Sequence, residues 1–99
     1  MIAKPSCAAI AEAVGVLSNP HRVAVLCCLR DGERCVADIA RDVGLSQAHV
    51  SAHLRVLYDR DLVSRRREWR HVFYRLRDRR VERLLDAALD LGGLGDDPS

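Results

Sequence analysis

The residues with the most chemistry to offer lie between Leu45 and Leu57. Gln47, Ser51 and Arg55 recur every four residues, with His49, Ala52 and His53 beside them. On a helix that spacing builds one ridge of short hydrogen-bonding groups plus a cation, while Val50, Leu54 and Leu57 fall on the other side. Ser46, just before them, is a helix N-cap. Such a ridge suits base edges and phosphates. The amide of Gln47 can pair with adenine, and Arg55 suits a phosphate. Taken alone, the same helix equally describes an ordinary amphipathic segment with a polar solvent face.

Cysteine and histidine are the other reactive side chains. Cys7, Cys27, Cys28 and Cys35 would suggest two disulfides in an exported chain. Two of them are adjacent and two lie on expected helices, which suits reduced thiols. Cys27 and Cys28 point about 100° apart on a helix, so a vicinal disulfide is strained and joint chelation awkward; plain packing is the favoured reading. A thiol pair of Cys28 with Cys35 across the intervening loop stays open. His49 and His53 have the i, i+4 spacing of a two-imidazole zinc site, but on this ridge contacts to DNA or backbone are preferred. His21 and His71 are expected at the surface. No Ser/His/Asp set, phosphate loop or paired carboxylate points to an enzyme.

These groups sit in a chain of 99 residues, enough for one domain with a modest core that a second copy would help to stabilise. A balance of 48% hydrophobic and 30% charged residues excludes a disordered chain. No apolar run reaches the roughly 18–20 residues of a membrane span, and no secretory h-region is visible, so a cytoplasmic location is expected. The net charge of +2 says little, but its distribution says more. From Arg60 to Arg83 ten arginines face only Asp61, Glu68, Asp78 and Glu82, whereas from Leu84 onward there are four aspartates and no base. A basic stripe of this kind points to a polyanion partner.

The elements that must position the ridge are legible in order. A first helix starts at Ser6, with Ile10, Val14 and Leu17 as its apolar stripe. Asn19 caps and Pro20 opens a second helix, to Arg30, with Val25, Leu26 and Leu29 inward, and Asp31-Gly32 stops it. A short third helix, Val36 to Asp42, places Val36, Ile39, Ala40 and Val43 inward before a turn at Gly44. The ridge helix runs from Gln47 to Tyr58. The period then changes to alternation, and Leu62-Val63-Ser64 and Val72-Phe73-Tyr74-Arg75-Leu76 predict a two-stranded hairpin with its tip near Glu68-Trp69. A last helix spans Asp78 to Leu91, with Val81, Leu84, Leu85, Ala88 and Leu89 inward, and Gly92-Gly93 ends it. Residues 1–93 form the domain and 94–99 an acidic, disordered tail.

A basic hairpin directly after a helix-turn-helix can lie beside the recognition helix as a wing. The expected fold is therefore mainly α with a β-hairpin, a winged helix-turn-helix of order ααααββα. Ser46, Gln47, His49, Ser51, His53 and Arg55 would face DNA from the helix, and Arg65, Arg66, Arg67 and Arg70 from the wing, gripping phosphates or the neighbouring minor groove. The first and last helices would pair across a two-fold axis through Ile10, Val14, Leu17, Val81, Leu84, Leu85 and Ala88. Two recognition helices would then lie about one DNA turn apart (roughly 34 Å), over a palindromic operator.

These residues carry a family resemblance. Asn19-Pro20-His21-Arg22 with Val25-Leu26 and Leu29 resembles the "(D/N)-P-x-R-x-x-I-L-x-x-L" segment of the ArsR–SmtB repressors. Cys35-Val36-Ala37-Asp38-Ile39-Ala40 resembles their "C-V-x-D-L", and Leu45 to Leu57 their "L-S-(Q)-x-x-V-S-x-H-L-x-x-L". Leu62-Val63 and Arg70-His71-Val72-Phe73-Tyr74-Arg75-Leu76 match the wing. The resemblance covers roughly residues 8 to 91 and implies a dimeric repressor that leaves its operator when a metal ion, or in some members a thiol oxidant, is sensed. One departure is Trp69, where the family usually has glycine at the wing tip. Either the turn type differs or the indole packs on the hairpin, with packing preferred over a DNA contact.

The resemblance also implies where an effector would act. The family's site on the last helix is absent, because Asp78 matches but Arg80 and Leu91 stand where histidines are needed. The site on the third helix keeps Cys35, with Asp38 one turn on, and Cys7 is a further donor. These would suit a thiophilic ion such as cadmium, lead, zinc or arsenite, although three thiolates are usual for arsenite. Cys35 as a small, partly buried residue is the competing reading, and for Cys7 the plain one is favoured. Cys27 matches a redox-sensing position whose partner cysteine is missing. The reading that results is a homodimeric, DNA-binding repressor released at cysteine thiols by a metal ion or metalloid. Its rivals are an oxidant- or persulfide-sensing repressor of the same fold and a winged-helix interaction module or metallochaperone.

Overall fold

The structure, a computed structural model, describes residues 4–95, with side chains placed from 7 to 91. Its elements are α1 (Lys4–Val16), α2 (Pro20–Cys28), β1 (Arg34–Cys35), α3 (Val36–Val43), α4 (Gln47–Asp59), β2 (Val63–Glu68), β3 (His71–Leu76) and α5 (Arg79–Gly95). This is the expected winged helix-turn-helix order, with one added strand.

Local chemistry sets the boundaries. Asn19 Oδ1 accepts from the N–H groups of His21 and Arg22 at 2.8 and 3.3 Å, and Pro20 opens α2 where its missing N–H costs nothing. Helix α2 stops at Cys28, short of the expected Arg30, because Leu29–Asp31 tighten into a 3-10 turn ahead of Gly32. Gly44 takes φ 73°, a left-handed value that glycine adopts without strain, and the N–H groups of Gly44 and Leu45 both reach Ala40 O. That turn swings the chain from α3 into α4.

The core gathers behind α4. Val25, Leu26, Ile39, Val50, Leu54 and Leu57 are completely buried, and Leu29, Val63 and Leu85 nearly so. Helix α2 packs against both arms of the helix-turn-helix, and Val81 and Leu85 bring α5 onto the same core. These two residues are therefore spent inside the protomer. Ile10 and Val14 are 60% and 49% exposed and Leu84 and Ala88 half-buried, so these four, with half-buried Leu17, remain of the expected dimer contacts.

Three further expectations are corrected. The sheet has three strands in the order β1-β3-β2, because Arg34 and Cys35 pair antiparallel with Tyr74 and Phe73. Two residues immediately before a helix are too few to show alternation. The last helix continues through Gly92-Gly93 to Gly95, and Asp78 caps it, its Oδ1 accepting from Arg80 N at 2.8 Å. The expected tail thus overlaps α5 at residues 94–95, and 96–99 lie outside the described residues. Lastly, Glu68 pairs with His71, leaving Trp69-Arg70 as a two-residue loop. Trp69 has φ 61° while Arg70 is not left-handed, the φ pattern of a type II′ turn. The indole does not pack on the hairpin. An apex this tight has no strand surface left for it to cover, and it stands 88% exposed.

Candidate nucleic-acid interface

Helix α4 presents the face its sequence calls for. With Val50, Leu54 and Leu57 buried, Gln47, Ala48, Ser51, Ala52 and Arg55 are exposed on the other side. Ser46 does double duty, its Oγ accepting from His49 N and meeting His49 Nδ1, both at 3.1 Å. The cap thus fixes both the start of the helix and the pose of His49. His53 stands apart from the ridge. It is half-buried, with its ring 6.0 Å from that of His21, and burial first, then the charge of Arg22, holds its pKa below the ordinary value of 6.5.

The wing arginines do different jobs, which sequence reasoning treated as one. Arg65 lies over the ring of Tyr58, 4.0 Å from its centroid, and so ties the wing to α4. Arg66 is held by Glu33, with Nε to Oε2 and Nη2 to Oε1 both at 2.8 Å, and reaches Glu68 at 3.1 Å. Its guanidinium braces the wing against the loop before β1 and is not available to a phosphate in this conformation. Among the described residues no ion pair involves Arg67 or Arg70. Period-2 alternation carried a signal for Arg66 alone, since it puts Arg66 and Glu68 together on one side of β2, while Arg65 and Arg67 share the other side and differ only in that Arg65 meets Tyr58.

The thiols divide as well. Cys27 and Cys28 are half-buried and pack against the core. The Cys28 thiol lies 3.5 Å from Asp42 Oδ2, and burial followed by that carboxylate raises its pKa, so it stays protonated. Cys7 is exposed on α1. Cys35 ends β1, holds the N-cap position of α3, and lines an open groove of about 270 Å³ with Gln47 and Arg70. The Asp38 carboxyl, one turn on, is held below the ordinary carboxylate range first by Arg41, at 2.6 Å, and second by the nearby Cys35 thiol. No three of His, Cys, Asp or Glu gather into a metal-holding group among the described residues. One protomer therefore does not fit a complete metal site. No described helix is long and apolar enough to cross a membrane.

An exposed reading helix behind a glycine turn, flanked by a basic hairpin, defines a winged helix-turn-helix DNA-binding domain. Residues 19–65 match the family described as "Bacterial regulatory protein, arsR family". The HTH-type transcriptional regulator NmtR of Mycobacterium tuberculosis is 39% identical over 82 residues, which is 83% of this chain and 68% of that protein. The biofilm growth-associated repressor of Xylella fastidiosa is 32% identical over 78 residues, 79% of this chain and 68% of that one. The solution structure of Mb0332 from Mycobacterium bovis, a homodimeric winged helix-turn-helix domain, superposes with a TM-score of 0.84 at 29% identity, covering 93% of this chain and 85% of that one. The chain belongs to the arsR family of bacterial regulatory proteins. It is a DNA-binding transcriptional regulator and not an enzyme.

Proposed function

We propose that the protein is a cytoplasmic, homodimeric repressor that grips a palindromic operator and releases it when an effector reaches the Cys35 thiol. One observation carries the DNA half. Helix α4 buries Val50, Leu54 and Leu57 completely while Gln47, Ser51 and Arg55 face outward beside the wing. Gln47 reads a base edge, Arg55, Arg67 and Arg70 hold phosphates, and Ser46 and His49 set the first turn of the helix. The exposed Ile10 and Val14 of α1, with Leu84 and Ala88 of α5, pair the protomers so that two reading helices meet successive major grooves.

The effector half rests on the position of Cys35. Its backbone pairs with Phe73 of the wing, it starts α3, and its groove is shared with Gln47 and Arg70. Anything added to this thiol strains both DNA-contacting elements together. A coupling of about 1–3 kcal/mol there weakens DNA binding some 5- to 150-fold. For a thiophilic ion, one protomer supplies Cys35 and Asp38, and the remaining donors must come from the second copy, with Cys7 the candidate. The lack of a three-donor group among the described residues favours a second reading, oxidation or persulfidation of Cys35, which needs one thiol and no ligand set.

Fluorescence anisotropy of a labelled duplex enriched by the protein from a randomised pool tests both halves. Binding should be sequence-specific and weaken steeply with salt. Either a panel of thiophilic ions or an oxidant and persulfide donor should release the wild type but not Cys35→Ser. Equal release from both proteins sinks the Cys35 assignment. A failure to prefer any sequence favours an interaction module or metallochaperone instead.

A further inference from the structure

The wing tip carries an aromatic side chain that its own protein leaves uncovered. Trp69 is 88% exposed at the first position of a two-residue loop, and its φ of 61° is one that bulky residues rarely adopt. Glycine there would relieve both the apolar exposure and the backbone strain. The surroundings are cationic. Arg67 and Arg70 lie two positions before and one after Trp69 in the chain and make no ion pair among the described residues, and Glu68, the one acid of the hairpin, is already held by Arg66 at 3.1 Å. An exposed indole at the tip of an arginine-rich hairpin is suited to stacked bases between phosphates.

We propose that Trp69 is an apolar wedge that enters the minor groove of the bound duplex and lies against a partly unstacked base step. The inference rests on the DNA-binding reading above. With α4 in the major groove, the hairpin beside it reaches the adjacent minor groove. Arg67 and Arg70 hold the phosphates that border it and so position the ring. Unstacking is easiest at pyrimidine–purine steps, so the wedge selects TA or CA/TG under the tip without any base-edge hydrogen bond. The wing thereby adds sequence preference at positions α4 does not touch.

Trp69 is the only tryptophan of the chain, so its emission reports the tip directly. The enriched duplex is titrated into the full chain while duplex anisotropy, indole emission and acrylamide quenching are followed together. The expected result is a change in emission and loss of acrylamide access that saturate with the anisotropy. Trp69→Phe should keep most of the affinity, and Trp69→Gly, which relaxes the backbone and stays folded, should bind roughly 5- to 100-fold more weakly. Replacing the step under the tip should matter for the wild type and not for Trp69→Gly. If anisotropy titrates while emission and quenching stay unchanged, the wedge is wrong and the DNA-binding reading stands. If no duplex binds, both fall. Emission that follows protein concentration without DNA places a second copy over the tip and overturns the proposal.

Discussion

Arg66 grips Glu33 through a two-pronged contact, its Nε and Nη2 each 2.8 Å from one carboxylate oxygen. The pairing lowers the Glu33 pKa and raises that of Arg66, and it joins the middle of β2 to the loop before β1, across β3. The consequence is measurable in the salt dependence of DNA binding. Arg67→Ala or Arg70→Ala should flatten the plot of log affinity against log salt by about one per wing, while Arg66→Ala leaves the slope nearly unchanged. Glu33→Gln with Glu68→Gln, which together remove both carboxylates that hold Arg66, should steepen it. An Arg66→Ala slope as flat as that of Arg67→Ala would mean that the brace opens on DNA.

The turn of the helix-turn-helix makes a different prediction. A Cβ at Gly44 meets nothing within 4 Å, so Gly44→Ala meets no steric clash and suffers only the left-handed backbone at φ 73°. The loss should be about 1–2 kcal/mol in urea unfolding, and smaller for Gly44→Asn, whose side chain tolerates that region. Folded Gly44→Ala should bind DNA with wild-type affinity, because the turn angle is unchanged. A neutral Gly44→Ala would show that the turn relaxes out of the left-handed region.

These two sites mark what the sequence could and could not show. Gly44 was readable because a glycine between two amphipathic segments has one common use. The faces of α4 were readable because the 3.6-residue period separates Val50, Leu54 and Leu57 from Gln47, Ser51 and Arg55. The Arg66–Glu33 pair was not, since it joins residues far apart in sequence through a strand, β1, only two residues long. Composition also makes all wing arginines look alike, and alternation along β2 sets apart only Arg66; what marks Arg65 and Arg66 as bracing is their partners Tyr58 and Glu33, which lie outside the hairpin. At Trp69 the apolar side chain argued for packing, and the tightness of the turn, set by the Glu68–His71 pairing, decided otherwise.

His53 supplies a pH dependence. Its folded pKa lies below 6.5, first through burial and then through Arg22, His21 and His49, so the fold favours the neutral ring. The unfolded chain takes up this proton first as pH drops. Stability from the site is therefore complete above about pH 6.5 and declines as pH falls towards the depressed folded value. Thermal melts between about pH 7.5 and 5.5 (about one unit to either side of the ordinary histidine pKa) should show that decline, and His53→Gln should reduce it. A decline of equal size in His53→Gln would assign the proton elsewhere.

The dimer prediction separates interface from core on a single helix. In α1, Val16 is only 4% exposed and belongs to the protomer's core, whereas Ile10 and Val14 lie 60% and 49% exposed on the same helix. Ile10→Asp with Val14→Asp should therefore leave helical content intact and give a monomer by analytical ultracentrifugation, while Val16→Asp should unfold the domain. The monomer keeps one reading helix and one wing, so it loses bivalency rather than contacts. Its affinity for a palindromic duplex should fall about a hundredfold or more, while its affinity for a half-site stays within a few-fold of the wild type's. A double variant that remains dimeric would show that the α1 face is not the interface, and that another surface sets the spacing of the two recognition helices.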